Sequence, residues 1–219
     1  MNFVAHFSIN IKRDMDLFVH TGIENKMSLA LEMFVLYARA SQRNIVQLNA
    51  LSNSALQQLK LESVPVLLKT VVEVIDGKEV HSQQSTSNPY TIMLDIARAC
   101  YLEDVLFGKK DSQTRLEILS FVEKAERLSP VELTELVNTH IGQTRLFLNG
   151  LSITAADIVV FAYIAKYFSA LADHEKIGLP HAFRWIDHVQ HLPGMLEQVH
   201  AKQLFTSFPD ENAEGPSKA

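Results

Sequence analysis

The sequence predicts an α/β half followed by an all-helical half, divided near residues 108–112. Three observations carry this reading. Short apolar runs of strand length flank a helical stretch in the first hundred residues, helical spacing takes over from about Asp111, and strand signals almost vanish beyond it. With 219 residues the chain can fill one large or two small cores.

Residues 1–14 place Phe3, Val4, Phe7 and Ile9 ahead of Lys12 and Arg13, without the order of a secretory signal, and read as an extension. Met15 offers a second start. "DLFVHTG" and "NIVQLNA" read as short buried strands on either side of "ENKMSLALEMFVLYARA", a helix by length and composition. Such a strand, helix, strand unit implies parallel pairing with a right-handed crossover. After the polar "SNSALQQLK" come "VPVLLKT" and "VVEVIDGKEVHS", where Asp76-Gly77 suits a tight turn between antiparallel strands. Asn88 and Pro89 then open a helix as its cap and first-turn residue. Pro65 precedes a strand, where a missing amide is tolerated. A cis Val64–Pro65 bond would leave backbone groups facing a ligand, and a trans proline that starts a strand is the alternative. The order β-α-β-α-β-β-α with this proline at the third strand resembles the thioredoxin fold, and residues 15–109 are assigned to that half.

Residues 110–205 form the helical half, with "SQTRLEILSFVEKAERL", "PVELTELVNTHI", "HAFRWIDHVQH" and "GMLEQVH" as helices. In "SITAADIVVFAYIAKYF", Thr154 and Asp157 have the spacing of a capping box, and Ile153 with Ile158 that of a hydrophobic staple. The run from Ala155 to Ala165 is apolar on all sides, which predicts a helix surrounded by protein. Its first amides then need side-chain partners, so Asp157 reads as a cap rather than a catalytic acid. Residues 206–219, containing "FPDENAEGPSKA", read as a disordered tail or linker.

A formal charge of -5 argues against the whole domain acting as an electrostatic trap for nucleic acid. Cys100 is the single cysteine, read as a buried structural thiol in a reducing compartment. No apolar run reaches the ~18 residues a membrane span needs. The nine histidines are scattered; His188 and His191 share a face, but two ligands without cysteine or an ordered acid do not make a metal site. Neither a phosphate-binding Gly-rich loop nor a nucleophile elbow is present, and no cofactor is expected.

Together these pieces resemble a glutathione-transferase-like protein: a thioredoxin-like half with "SVPVLL", then "FLNGLSITAADIVVFA", similar to that family's buried capping-box helix. The resemblance covers about Met15 to Leu204. "FRWIDHVQHLPG", through Arg184, Trp185, His188 and Gln190, looks like the penultimate helix of the transferase-like domains of aminoacyl-tRNA synthetases, their scaffold proteins and elongation factor 1B gamma. "ENKMSLALEMFV" points to the same branch.

Helical spacing buries Ala182, Trp185, Ile186, Val189 and Leu192, and leaves Arg184, Asp187, His188 and His191 on the other side. The resemblance makes that second face a partner interface. The alternative is a solvated face with an internal Arg184–Asp187 pair. A second docking surface is implied on the side of the thioredoxin-like half that transferases use for dimerisation.

The resemblance thus implies a non-catalytic, cytoplasmic interaction domain of a tRNA-binding scaffold that assembles a multi-aminoacyl-tRNA-synthetase complex. Its partners would be synthetases bearing transferase-like domains, with a homodimer as a further option. tRNA would bind mainly through a module absent from this chain. A catalytic transferase needs a hydroxyl or thiol near the first helix, where only Thr21 and Ser28 stand, and a polar pair after the fourth strand, for which Gln84-Ser85 is the candidate. With Val64 and Pro65 these residues make a vestigial glutathione site. A working glutathione transferase, or the structural domain of elongation factor 1B gamma, are the alternative readings.

Overall fold

A computed structural model of the chain describes residues 15–20, 25–41, 46–51, 55, 64–75, 78–110, 112–142 and 144–207. Strands β1 (Met15–His20), β2 (Val46–Leu51), β3 (Val66–Ile75) and β4 (Lys78–Thr86) form one sheet in the order β2-β1-β3-β4. β1 runs parallel to β2, with Leu17 opposite Leu48, and antiparallel to β3, with Leu17 opposite Leu67. Alternation along β1 buries Met15, Leu17 and Val19 and leaves Asp16 and Phe18 half-buried.

Two strand readings are corrected. β2 lies at the edge of the sheet, so only Val46 is fully buried, while Gln47 and Ala50 are exposed. "VPVLLKT" and "VVEVI" merge into the single ten-residue β3. Ile75 pairs with Lys78, which brackets the turn expected at Asp76-Gly77, itself outside the described residues. The helix expected before β3 also lies outside them, except for Ala55. The Val64–Pro65 peptide is cis.

Helix α1 (Lys26–Ser41) opens where the Asn25 side chain accepts the Ser28 amide at 3.0 Å, satisfying an orphan donor of the first turn. Leu29 to Val35 are all buried because α1 is covered by the sheet and by α6 (Ala155–Ala170). Helix α2 (Pro89–Ala99) has Asn88 as its cap, accepting the Thr91 amide at 2.9 Å. The run "IARACYLEDVL", helical-looking in the sequence, does not continue as one helix. α2 stops in a Schellman arrangement, with the Leu102 amide on Ala97 O at 2.8 Å, the Tyr101 amide on Arg98 O at 3.2 Å, and Tyr101 at φ 60°. The short α3 (Glu103–Phe107) follows.

Beyond Gly108 the described chain is helical: α4 (Gln113–Arg127), α5 (Pro130–Ile141), α6, α7 (Asp173–Ile177), α8 (Pro180–Gln190) and α9 (Leu196–Ala201). The Ser112 hydroxyl caps α4, and Ser129 with Glu132 closes a capping box on α5. α6 contacts α1, α4, α5 and α8, which explains why its side chains from Ala155 to Ala162 are buried without an outer face. Gly194 sits against α1: a Cβ there would fall 2.4 Å from Leu36 O, and φ is +76°. Beside it, Glu32 of α1 accepts Gln198 Nε2 at 2.7 Å and pairs with Lys202 Nζ at 3.2 Å, so the C-terminal turns are fastened to the sheet-bearing half.

Candidate functional site

α8 is held in place by contacts at both ends and along its buried stripe. Leu179, before its first turn, supplies no side-chain cap. Asn138 of α5 does so instead, its Oδ1 accepting the His181 and Ala182 amides at 3.0 and 3.1 Å. Ala182, Trp185, Ile186 and Val189 are buried, as the spacing predicted, Phe183 and Gln190 are buried beside them without having been named, and Leu192 is only half-buried. The Gln190 amide pairs with the Thr206 backbone, donating to its carbonyl at 2.7 Å and accepting its N–H at 3.1 Å.

Asp157 anchors this arrangement from below. One carboxylate oxygen accepts the Thr154 amide and hydroxyl, both at 2.8 Å, closing the capping box. The other accepts the Leu148 amide at 2.8 Å and Trp185 Nε1 at 2.9 Å. Burial pushes the Asp157 carboxyl up, while these hydrogen bonds hold it down. With every strong acceptor position taken, it is a structural hub without a vacant site for a reacting proton. The link to Trp185 carries no local sequence signal, since the residues are 28 apart.

The outer side of α8 places Arg184, Asp187, His188 and His191 together, but not as an Arg–Asp pair. Arg184 Nη2 donates to the Gly142 carbonyl at 2.6 Å and the Arg145 carbonyl at 3.1 Å, capping the end of α5. Its Nε is buried with no hydrogen-bond partner among the described residues. Asp187 instead lies 3.4 Å from His191 Nδ1 and accepts Gln190 Nε2 at 3.1 Å. His188 Nδ1 and His191 Nδ1 each approach a carbonyl one turn back at 2.7 Å, so each Nδ1 carries a proton and donates it. The His188 ring meets Phe147 edge-on at 6.4 Å. The face therefore offers two exposed imidazoles and a half-buried guanidinium, an arrangement suited to hydrogen bonding and stacking. Among the described residues no group of three metal-ligating side chains occurs.

The vestigial-site candidates are placed on separate elements. Ser28 is fully buried in the first turn of α1. Thr21 lies outside the described residues. Gln84 and Ser85 are exposed members of β4, opposite Lys69 and Leu68, rather than residues following the strand. The polar residues that do follow it are Ser87 and Asn88, and Asn88 is engaged as the α2 cap. Beside these residues lies an open cleft of about 280 Å³, with Met27, Asn88, Tyr90 and Leu119 on its walls and Glu123 and Glu126 on one side. Cys100 is buried, and burial pushes its thiol up, away from nucleophilic use.

This is the fold of the glutathione transferases, a strand-bearing half joined to a helical half. The GST-like domain of elongation factor 1-gamma from Saccharomyces cerevisiae superposes with a TM-score of 0.63, at 12% identity over 85% of this chain and 93% of that one. Glutathione transferase Omega 2S from Trametes versicolor gives 0.60, at 9% identity over 88% and 94%. In sequence, the chain is similar to the tRNA-aminoacylation cofactor arc1 of Schizosaccharomyces pombe, 27% identical over 111 residues. That match takes in 49% of this chain and 24% of the cofactor, so the chain corresponds to a small part of that protein. No family model matches the chain. Among the described residues, no helix is long and apolar enough to cross a membrane.

Proposed function

We propose that this chain is a non-catalytic docking domain of a translation scaffold, which joins aminoacyl-tRNA synthetases through their own transferase-like domains in the cytoplasm. The observation that carries the reading is the sequence similarity to a tRNA-aminoacylation cofactor. The outer side of α8, with Arg184, Asp187, His188 and His191, is the docking face. The side of the sheet-bearing half that transferases use for dimerisation is a second one. Two separate faces permit a chain of domains rather than a closed pair. tRNA contact belongs mainly to a module outside this chain, in keeping with the charge of -5.

The buried Ser28 and the in-strand position of Gln84-Ser85 support the non-catalytic reading. So do Glu123 and Glu126, which place carboxylates beside the cleft where an acidic tripeptide would meet repulsion.

The test is affinity capture of the tagged chain from nuclease-treated extract of its native cell, with partners identified by mass spectrometry. Arg184→Ala and His188→Asp are compared with the wild type. Synthetases retained by the wild type and lost by both folded variants are the expected result. Capture of elongation-factor subunits instead would favour the elongation factor 1B gamma reading. Saturable glutathione binding, measured by calorimetry, would favour the transferase reading, which the fold also accommodates.

A further inference from the structure

The chain beyond α9 returns to α8 and is clamped there. Leu204 and Thr206 are buried, while Phe205 between them is 37% exposed. The Gln190 side chain holds both backbone polar groups of Thr206 and also donates to Asp187 at 3.1 Å. Phe205 therefore stands on a fixed stretch of backbone.

Its ring is braced on two sides. His200 stacks on it at 4.5 Å with 16° between the planes, and His191 meets it edge-on at 5.9 Å. A single exposed apolar residue is ordinary. This one is set apart because its backbone clamp and both ring neighbours limit its freedom before a partner arrives. An aromatic anchor ordered in that way binds at low entropic cost.

His191 belongs to the outer side of α8, so the ring prolongs that face. Arg184 lies two turns back from His191, about 10 Å along the helix axis. The carbonyls of Gly142 and Arg145 hold its guanidinium by hydrogen bonds that leave the positive charge in place. Asp187, between the two, is turned to His191 and Gln190. A surface complementary to this face places a carboxylate against Arg184 and an apolar recess over Phe205, about 10 Å apart.

Given the docking role proposed for this side of α8, on which the step depends, we infer that Phe205 is the aromatic anchor of the face and that its occupant is an acidic patch with an apolar recess on a partner protein. The ring fills the recess, the patch meets Arg184, and the clamp at Gln190 keeps the two at a fixed spacing.

Photo-cross-linking of the full chain in its native cell tests this. Phe205→benzoylphenylalanine keeps an aromatic ring in place and labels whatever touches it, and the same change at Tyr101, an exposed ring on the sheet-bearing half, is the control. Position 205 is expected to label a peptide of another protein that carries two or more carboxylates, and position 101 is not. The purified labelled partner then binds Phe205→Ala at least about tenfold more weakly than wild type, with the thermal midpoint of the variant unchanged. Labelling confined to this chain or a second copy of it, labelling of nucleic acid or of a basic peptide, or equal affinity of Phe205→Ala and wild type overturns the inference. An acidic partner that is not a synthetase leaves the anchor standing and removes synthetase docking. Synthetases captured alike by wild type and Phe205→Ala leave the docking and remove the anchor.

Discussion

The indole N–H of Trp185 donates to Asp157 across 2.9 Å, tying α8 to the first turn of α6. Both residues are fully buried, and the same carboxylate also holds the Leu148 amide and both donors of Thr154. Replacing it by Ala strands four donors in the core. Asp157→Ala is expected to lower stability by about 3 kcal/mol or more, from the cost of leaving several buried donors unmet. Trp185 is the single tryptophan, so its fluorescence in a urea titration reports this site.

Asn138 caps a helix to which it does not belong, accepting two amides at the start of α8. Asn138→Ala is expected to cost about 1–2 kcal/mol, the range for loss of a side-chain cap. Asn138→Asp should recover most of that loss, because its carboxylate offers the same acceptor next to the positive end of a helix. Thermal unfolding of the three chains decides it.

Tyr101 ends α2 at φ 60° and is 74% exposed as a residue, so little packing offsets the strained backbone. Tyr101→Gly is expected to stabilise the fold by up to about 1 kcal/mol, since glycine adopts this conformation without a Cβ penalty. A lowered urea midpoint for the variant would mean that the exposed ring contributes more than the backbone strain costs.

Glu103 joins the end of the sheet-bearing half to α4, pairing with Arg98 at 2.7 Å and Arg115 at 3.0 Å. The hydrogen bond from Arg98, helped by Arg115, holds its carboxyl below the usual glutamate value of 4.5. A lowered folded pKa contributes stability that is present above 4.5 and is lost as pH falls through the folded value. The stability deficit of Glu103→Gln relative to wild type should therefore be larger at about pH 7 than at about pH 3. Urea titrations at the two pH values give the comparison.

Much of the fold was legible because its signals are local. The cap at Asn88 stands beside the helix it starts, and the two polar members of the Thr154–Asp157 box are three residues apart. Along α8, Ala182, Trp185, Ile186 and Val189 follow helical spacing closely enough to be named from sequence, whereas the buried Phe183 was missed. The break at Tyr101 was missed because a Schellman turn usually announces itself with glycine or asparagine, and here a tyrosine takes that place. β2 was read as buried because composition reveals apolar character but not whether a strand has neighbours on both sides.

The candidate site was less legible. Arg184 and Asp187 are spaced for a pair along one helix, yet the carbonyls of Gly142 and Arg145, 42 and 39 residues away, take up the guanidinium. Gln84-Ser85 matched a motif by residue type, and strand pairing then placed both within β4.

By itself, the sequence determined where α4, α5, α6, α8 and α9 lie, the all-round burial of α6, most of the buried stripe of α8, and the succession of a strand-bearing and a helical half, while the short α7 went unread. These follow from periodicity and capping, which act within a few residues. Tertiary structure decided that Ser28 is sealed in the core, that Asn138 caps α8, that Trp185 hangs on Asp157, and that Arg184 closes the end of α5. Each depends on a donor and an acceptor brought together by packing, and no local spacing in the chain encodes such a meeting.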